Sequence, residues 1–318
     1  MPSRTRSRPA DTLPLAAGAA LRRIDAGARP AAAGYLGAGY AYAAYRVPAP
    51  SGDWTVRLPK RTDGAWGADR LADLEREVRF FRLLAGYDFG ATVPRDAALL
   101  RDARGRTIGA AHRYVPGQAL AVAGAPRGAA REAFTRDLGR FLSRLHAVPL
   151  AAAKQAGLEQ VSLATATYGP LTRQSLPHLG TSTARWLTGM TEAFLAGGGT
   201  AKAPRRVVHA DISGAHLLLD GGRLSGVIDF GDLLVADPAL DFAGVLNHLT
   251  WRDLERVWAH YDGPLDADVE RRVRYYIAVS PVFQVVYGAD GVGPEERANG
   301  VRRLAARAAA AGRRGDPA

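Results

Sequence analysis

Through the first third of the chain apolar and polar residues come in short alternating runs, and beyond about residue 117 the apolar positions recur every three or four residues. An aromatic-rich run from Tyr42 to Val47, a turn at Pro48–Asp53 and a run from Trp54 to Leu58 predict strand, turn and strand, preceded by a glycine-rich turn at Leu36–Tyr40. Leu71, Leu74, Val78 and Phe81 share one face of a helix, and Pro94 ends the connection that follows it. Leu99–Asp102, a turn at Ala103–Arg106 and Thr107–Val115 predict a second hairpin, closed by Pro116 and Gly117.

After Gly117 the spacing turns helical. Phe134, Leu138, Phe141, Leu142 and Leu145 line one face of a helix that begins after Pro126. Short strands return at Arg206–Val208, Leu217–Leu219 and Leu224–Phe230, with Asp220–Arg223 as a hairpin turn, and the remainder is helical to about Arg307. The pattern is therefore an α+β fold of two unequal lobes. Residues 1–25 form a mobile basic arm, 26–115 a small antiparallel β N-lobe and 116–318 a larger, mainly helical C-lobe. Ligands favour the cleft between such lobes.

At 318 residues and 47% apolar content the chain supplies cores for both lobes. No apolar run reaches the roughly 18 residues of a membrane span, and no secretory signal opens the chain, so a cytoplasmic location is expected. The absence of cysteine excludes disulfides, cysteine-bound zinc and thiol catalysis. A net charge of +11 invites a nucleic-acid partner. That charge is concentrated in the tails, however, and residues 209–297 carry fifteen acidic against seven basic side chains. An acidic C-terminal half suits a cationic small molecule better than a polyanion.

The stretch VVHADISGAHLLLDGGRLSGVIDFGD at residues 207–232 changes the picture from fold to chemistry. Phosphoryl transfer needs a base for the acceptor hydroxyl, metal ligands for the triphosphate and positive charge near the phosphates. Asp211 is placed to take the proton. His216, five residues on, and Asp229, at the end of the next strand, are placed to hold magnesium, with manganese as the softer alternative that an imidazole ligand favours.

HADISGAHLLLD followed by GVIDFGD resembles the core of the aminoglycoside phosphotransferase family, whose fold is protein-kinase-like. RDLGRFLSRLH (Arg136–His146) and VVYG (Val285–Gly288) are similar to segments of the 2''-aminoglycoside phosphotransferases, and macrolide phosphotransferases are the next nearest group. The resemblance implies that Asp211 is the catalytic base and Asp229 a magnesium ligand, and that ATP or GTP is the donor. It implies a nucleotide-binding N-lobe. Gly37, Gly39 and Tyr40 resemble the family's short glycine-containing phosphate loop, and Arg57 aligns with its phosphate-binding lysine, with Lys60 as the alternative cation. A helix carboxylate steadies that cation; spacing leaves Glu75 and Glu77 open, and the resemblance selects Glu77. His112–Gly117 is similar to the base-binding hinge, which adds His112 and Tyr114, and a bulky His112 is compatible with GTP. Two departures stand out. Ala210 occupies a position where the family has Gly, and His216 one where most members have Asn.

The acceptor implied is an aminoglycoside-type antibiotic, which makes the chain a resistance kinase. Asp232, Asp241 and Asp253 are carboxylates available to its ammonium groups, with Phe283 beside them, although Asp237 and Asp241 also read as loop residues bonded to local backbone. Asn247, His248 and Leu249 stand where the 2'' enzymes have acids, which makes a macrolide or another hydroxylated natural product the alternative acceptor. Two other classes remain open. One is a nucleotide-binding protein of this fold without turnover, pointed to by Ala210 and Arg57, and the other an RNA-associated basic module, pointed to by the tails.

Overall fold

The computed structural model describes residues 12–39, 41–60, 70–289 and 293–314. The chain divides into two compact units. The first comprises the described residues up to Asp88 together with Thr92–Pro116, and the second Phe89–Ala91 and the chain from Gly117 onward.

In the first unit, helix α1 (Leu15–Ile24) precedes strands β1 (Gly34–Ala38), β2 (Tyr42–Val47) and β3 (Trp54–Pro59), helix α2 (Arg70–Leu84), and strands β4 (Ala98–Arg101) and β5 (Thr107–Arg113). The strands pair antiparallel in the order β1-β2-β3-β5-β4. Successive strand residues face opposite sides, and β5 shows the result: Ala111 joins the core under α1, while Ala110 packs with Leu74 and Val78 of α2. Each face of the sheet is thus covered by one helix. Val47, Val56 and Trp54 meet Ala17 and Leu21 of α1 in one continuous apolar core.

Two expectations change here. Part of the anticipated basic arm is α1, whose Ala17, Gly18, Ala20 and Leu21 are buried, because an Ala- and Leu-rich helix can bury one face despite the arginines beside it. The turn expected at Leu36–Tyr40 is mostly strand β1, with an irregularity between Tyr35 and Gly37.

The second unit opens with β6 (Gln118–Ala119) and α3 (Leu120–Ala123), followed by α4 (Gly128–His146), α5 (Leu150–Gln155), α6 (Gly169–Ser175) and α7 (Thr181–Ala196). Four short strands follow, β7 (Arg206–Val208), β8 (Leu217–Asp220), β9 (Arg223–Val227) and β10 (Leu234–Ala236). Helices α8 (Ala239–Val245), α9 (Trp251–Trp258), α10 (Val269–Val279), α11 (Val282–Tyr287) and α12 (Pro294–Arg314) complete it. All five apolar residues predicted along the α4 face are fully buried. Among the described residues no helix is long and apolar enough to cross a membrane.

The strands of this unit form two small antiparallel sheets, β6-β8-β9 and β10-β7. Gly221 and Gly222, at φ 55° and 77°, make the two-residue turn between β8 and β9, a backbone that side chains disfavour. The strand expected to run to Phe230 stops at Val227, because Asp229 at φ 63° leaves the extended region and cannot continue a pleat. Strand β10 was not anticipated; its three residues carry too little alternation to register.

Candidate active site

The hairpin β8–β9 sets the geometry of the polar cluster. Leu217 pairs with Val227, and one step beyond that pair the Ile228 amide donates to the His216 carbonyl at 3.0 Å. His216 and Asp229 therefore emerge side by side at the open end of one hairpin. Asp211 reaches the same place from the loop after β7, whose Val207 and Val208 are fully buried and fix where that loop begins.

His216 lies between the two aspartates. Its Nδ1 is 2.9 Å from the backbone carbonyl of Asp211 and 3.3 Å from Asp211 Oδ2, and its Nε2 is 3.4 Å from Asp229 Oδ2. A carbonyl oxygen only accepts, so Nδ1 donates. In the neutral ring this leaves the Nε2 lone pair turned toward the Asp229 carboxylate. One imidazole nitrogen and one carboxylate are suited to a divalent cation whose remaining positions are taken by phosphate oxygens and water. Among the described residues no group of three or more His, Cys, Asp or Glu is arranged to hold a metal by itself.

Loss of solvent pushes the Asp211 carboxyl up to about 7, and the carboxylates of Asp232, Asp229 and Asp241 act in the same direction against the pull of His216. Its side chain nevertheless keeps 48% of its surface accessible, so an incoming hydroxyl can reach it. A carboxyl poised near neutrality is matched to general-base work.

Behind this front the loop is held rigidly. His209 is fully buried; its Nε2 donates to the Ile228 carbonyl at 3.0 Å, its Nδ1 accepts from the Asp211 amide at 3.3 Å, and Phe230 packs on its ring. Burial pulls its pKa down to about 4, so the ring is a neutral brace at ordinary pH. Asp241, in the first turn of α8, accepts from the His209 amide at 2.9 Å and the Ala210 amide at 2.8 Å. Its Oδ2 also lies 3.0 Å from His146 Nε2, while His146 Nδ1 is 2.9 Å from the Tyr261 hydroxyl. Gly244 lets α8 approach this closely, since a Cβ there would stand 2.4 Å from the Ile212 carbonyl oxygen. Ala210 has φ 68°, the left-handed region in which glycine is at ease and alanine strained.

Two residues expected to receive the acceptor are corrected. Asp241 is fully buried with its oxygens committed to the loop amides and His146, so it positions the loop. Asp253 is fully buried as well: it closes a capping box with Thr250 and takes Arg131 Nε at 2.6 Å and Arg256 at 3.0 Å. Burial works to raise its carboxyl, and the bonds from Arg131 and Thr250 hold it well below the usual range. Asp232 is exposed, and Phe283 is half-buried on α11. The buried acids were indistinguishable from surface acids by residue type; only the Thr250–Asp253 spacing, which permits a cap, and the local-backbone reading of ADPALDFA gave a hint.

In the first unit, Arg57 on β3 forms an ion pair with Glu77 of α2, and its guanidinium lies 4.7 Å from the centre of the Tyr42 ring. Glu75 instead accepts from the Thr107 hydroxyl at 3.2 Å, so the choice between the two glutamates falls on Glu77 for a contact with Arg57. Lys60 Nζ donates to the Gly39 carbonyl at 2.9 Å, and Gly37 sits at φ 140° in the irregular part of β1. Tyr40 lies outside the described residues. His112, buried on β5, donates from Nδ1 to the Arg113 carbonyl at 2.8 Å and packs on Phe81. Tyr114 follows it, with its amide bonded to the Asp53 carbonyl and Arg46 over its ring.

The chain is similar to known proteins in sequence and in fold. The phosphotransferase enzyme family (APH) matches residues 33–276. The solved GDP and kanamycin complex of APH(2'')-IIia is similar at 25% identity with a TM-score of 0.74, covering 88% of this chain and 93% of that one. The macrolide 2'-phosphotransferase MphH from Brachybacterium faecium, at 22% identity and a TM-score of 0.65, covers 89% of this chain and 96% of that one and shows the same fold. An uncharacterized Bacillus subtilis (strain 168) protein, YcbJ, is 27% identical over 161 residues, which is 47% of this chain and half of that relative's length.

Proposed function

The chain belongs to the phosphotransferase enzyme family (APH), and from that premise we propose that it transfers the γ-phosphate of ATP or GTP to a hydroxyl of a small molecule. The observation that carries this reading is the His216 ring set between Asp211 and Asp229. Asp211 takes the proton of the acceptor hydroxyl as its oxygen bonds to phosphorus; the bond to the β-phosphate oxygen breaks and the nucleoside diphosphate leaves. Asp229 and His216 Nε2 would hold magnesium or manganese, which neutralises charge on the phosphates when bound. Asp241, His209 and the Ala210 amide keep the loop in place for that step.

For the donor, Gly37, Gly39 and Tyr40 would approach the phosphates, and Arg57, oriented by Glu77 and Tyr42, supplies positive charge. Lys60 is the second cation. His112 and Tyr114 belong to the segment proposed to meet the base. A nucleotide donor fits a cytoplasmic site of action.

The acceptor proposed is an aminoglycoside-type antibiotic, supported by the likeness to a protein solved with kanamycin. A macrolide is the second reading, and burial of Asp241 and Asp253 favours it by removing two carboxylates from the surface open to a cationic ligand. Either product would make the chain a resistance enzyme. Phosphate transfer measured with ATP and with GTP against kanamycin, gentamicin and erythromycin tests the proposal. Phosphorylated antibiotic is the expected product; nucleotide binding without transfer to any of them would overturn it.

A further inference from the structure

The second unit carries a cavity of about 480 Å³ where the end of α4, the start of α5, the first residue of β7 and the chain after α9 meet. Its size is that of a small-molecule pocket, and so is its make-up. Val148, Pro149, Leu150 and Pro264 supply an apolar wall, on which few polar groups converge. Arg144 and Arg206 border it against one acid, the exposed Asp262, so the wall is net positive. Among the described residues Arg206 forms no ion pair; its guanidinium donates to the Arg205 carbonyl at 3.2 Å. A half-buried guanidinium with no carboxylate beside it suits an oxyanion.

Tyr261 belongs to the same wall. Gly263 lies against its hydroxyl, where a Cβ would stand 2.3 Å from the oxygen. That hydroxyl is 2.9 Å from His146 Nδ1, and His146 Nε2 is 3.0 Å from the Asp241 carboxylate. A carboxylate only accepts, so Nε2 donates to it, and in the neutral ring Nδ1 takes the phenol proton. Asp241 in turn accepts from the His209 and Ala210 amides at 2.9 and 2.8 Å, immediately before Asp211. A line of hydrogen bonds thus runs from the cavity wall to the Asp211 loop. The phenol has one proton to give. Turned toward an anion in the cavity, it leaves the buried Nδ1 without its donor, and the brace on Asp241 is disturbed.

We propose that this cavity is an effector site for a small organic anion with an apolar body, such as an aliphatic carboxylate. Arg206 and Tyr261 hold the anionic head, and Val148, Leu150 and Pro264 cover the body. Occupancy is felt at the Asp211 loop through His146 and Asp241. The site is separate from the groups assigned to nucleotide and acceptor, and the proposal goes beyond the phosphotransfer reading.

The test uses the full-length protein, octanoate, octanol as its neutral counterpart, and anilinonaphthalene sulfonate as a fluorescent anion. Octanoate should displace the dye and octanol should not. Arg206→Gln should weaken both anions about tenfold, the worth of one charge-assisted bond. Leu150→Trp, which fills the cavity from its exposed side, should weaken them with Tm unchanged. Hydrogen exchange at the His209 and Ala210 amides reads the coupling. Octanoate should shift both rates severalfold toward those of ligand-free Tyr261→Phe, and should leave that variant's own rates unchanged. Absence of anion binding, or binding that neither Arg206→Gln nor Leu150→Trp weakens, overturns the site. Binding that leaves both amides unchanged overturns its effector role. Neither readout needs turnover, so a failure to transfer phosphate counts against the kinase reading alone.

Discussion

His216 donates through Nδ1 to the backbone carbonyl of Asp211 at 2.9 Å, which fixes the ring so that its other nitrogen faces Asp229. Hydrogen bonding of one imidazole nitrogen to orient the other is the usual support of a ligating histidine. The metal preference should follow from this. His216→Asn substitutes an oxygen donor, so the ratio of activity with manganese to activity with magnesium should fall, read from initial rates in each metal.

Replacing the carboxylate proposed as base by an amide of the same shape separates chemistry from binding. Asp211→Asn should lower the rate of transfer by a factor on the order of 10² or more, with nucleotide affinity nearly unchanged, as measured by steady-state kinetics and nucleotide titration. An equal fall in both would mean that Asp211 serves binding.

Ala210 tests backbone strain. A left-handed alanine costs about 1–2 kcal/mol relative to an allowed conformation, and glycine does not bear that cost. Ala210→Gly should therefore stabilise the protein by about 1 kcal/mol after the greater entropy of the unfolded glycine is counted. Thermal or urea unfolding reads the gain, and the Ala210 amide bond to Asp241 should survive the change.

Acid should act through His209. Its folded pKa of about 4 lies below the ordinary value of 6.5, so below about pH 6.5 the unfolded chain binds the proton and the native chain does not. Stability supported by the neutral ring is complete above that pH and drains away as pH falls toward about 4. Between about pH 7 and pH 5 the loss should be roughly 2 kcal/mol. His209→Gln should flatten that part of the profile in urea unfolding; an unchanged slope would show that other groups set it.

The legible parts of this molecule were those with strong periodicity or compact motifs. The α4 face from Phe134 to Leu145 repeats over five buried residues, and β2 and β3 are bounded by a clear turn, so both were found with little error. Asp211, His216 and Asp229 were visible because they lie within 19 residues of each other along one loop and hairpin. What was hidden depends on partners remote in sequence. Asp241 meets His146 from 95 positions away and Asp253 meets Arg131 from 122, so beyond the capping spacing of Thr250 and Asp253 and the loop reading of Asp241 little local marks them as buried braces.

Helix α1 has a practical consequence for handling the protein. A version trimmed to the region shared with the family would begin at residue 33 and discard Leu13, Ala17, Ala20 and Leu21. Val47, Trp54, Val56 and Leu100 would then lose their cover and present a contiguous greasy face to water. Such a face drives self-association. Truncated protein should therefore collect in inclusion bodies or as soluble aggregates, even though Asp211, His216 and Asp229 are still encoded.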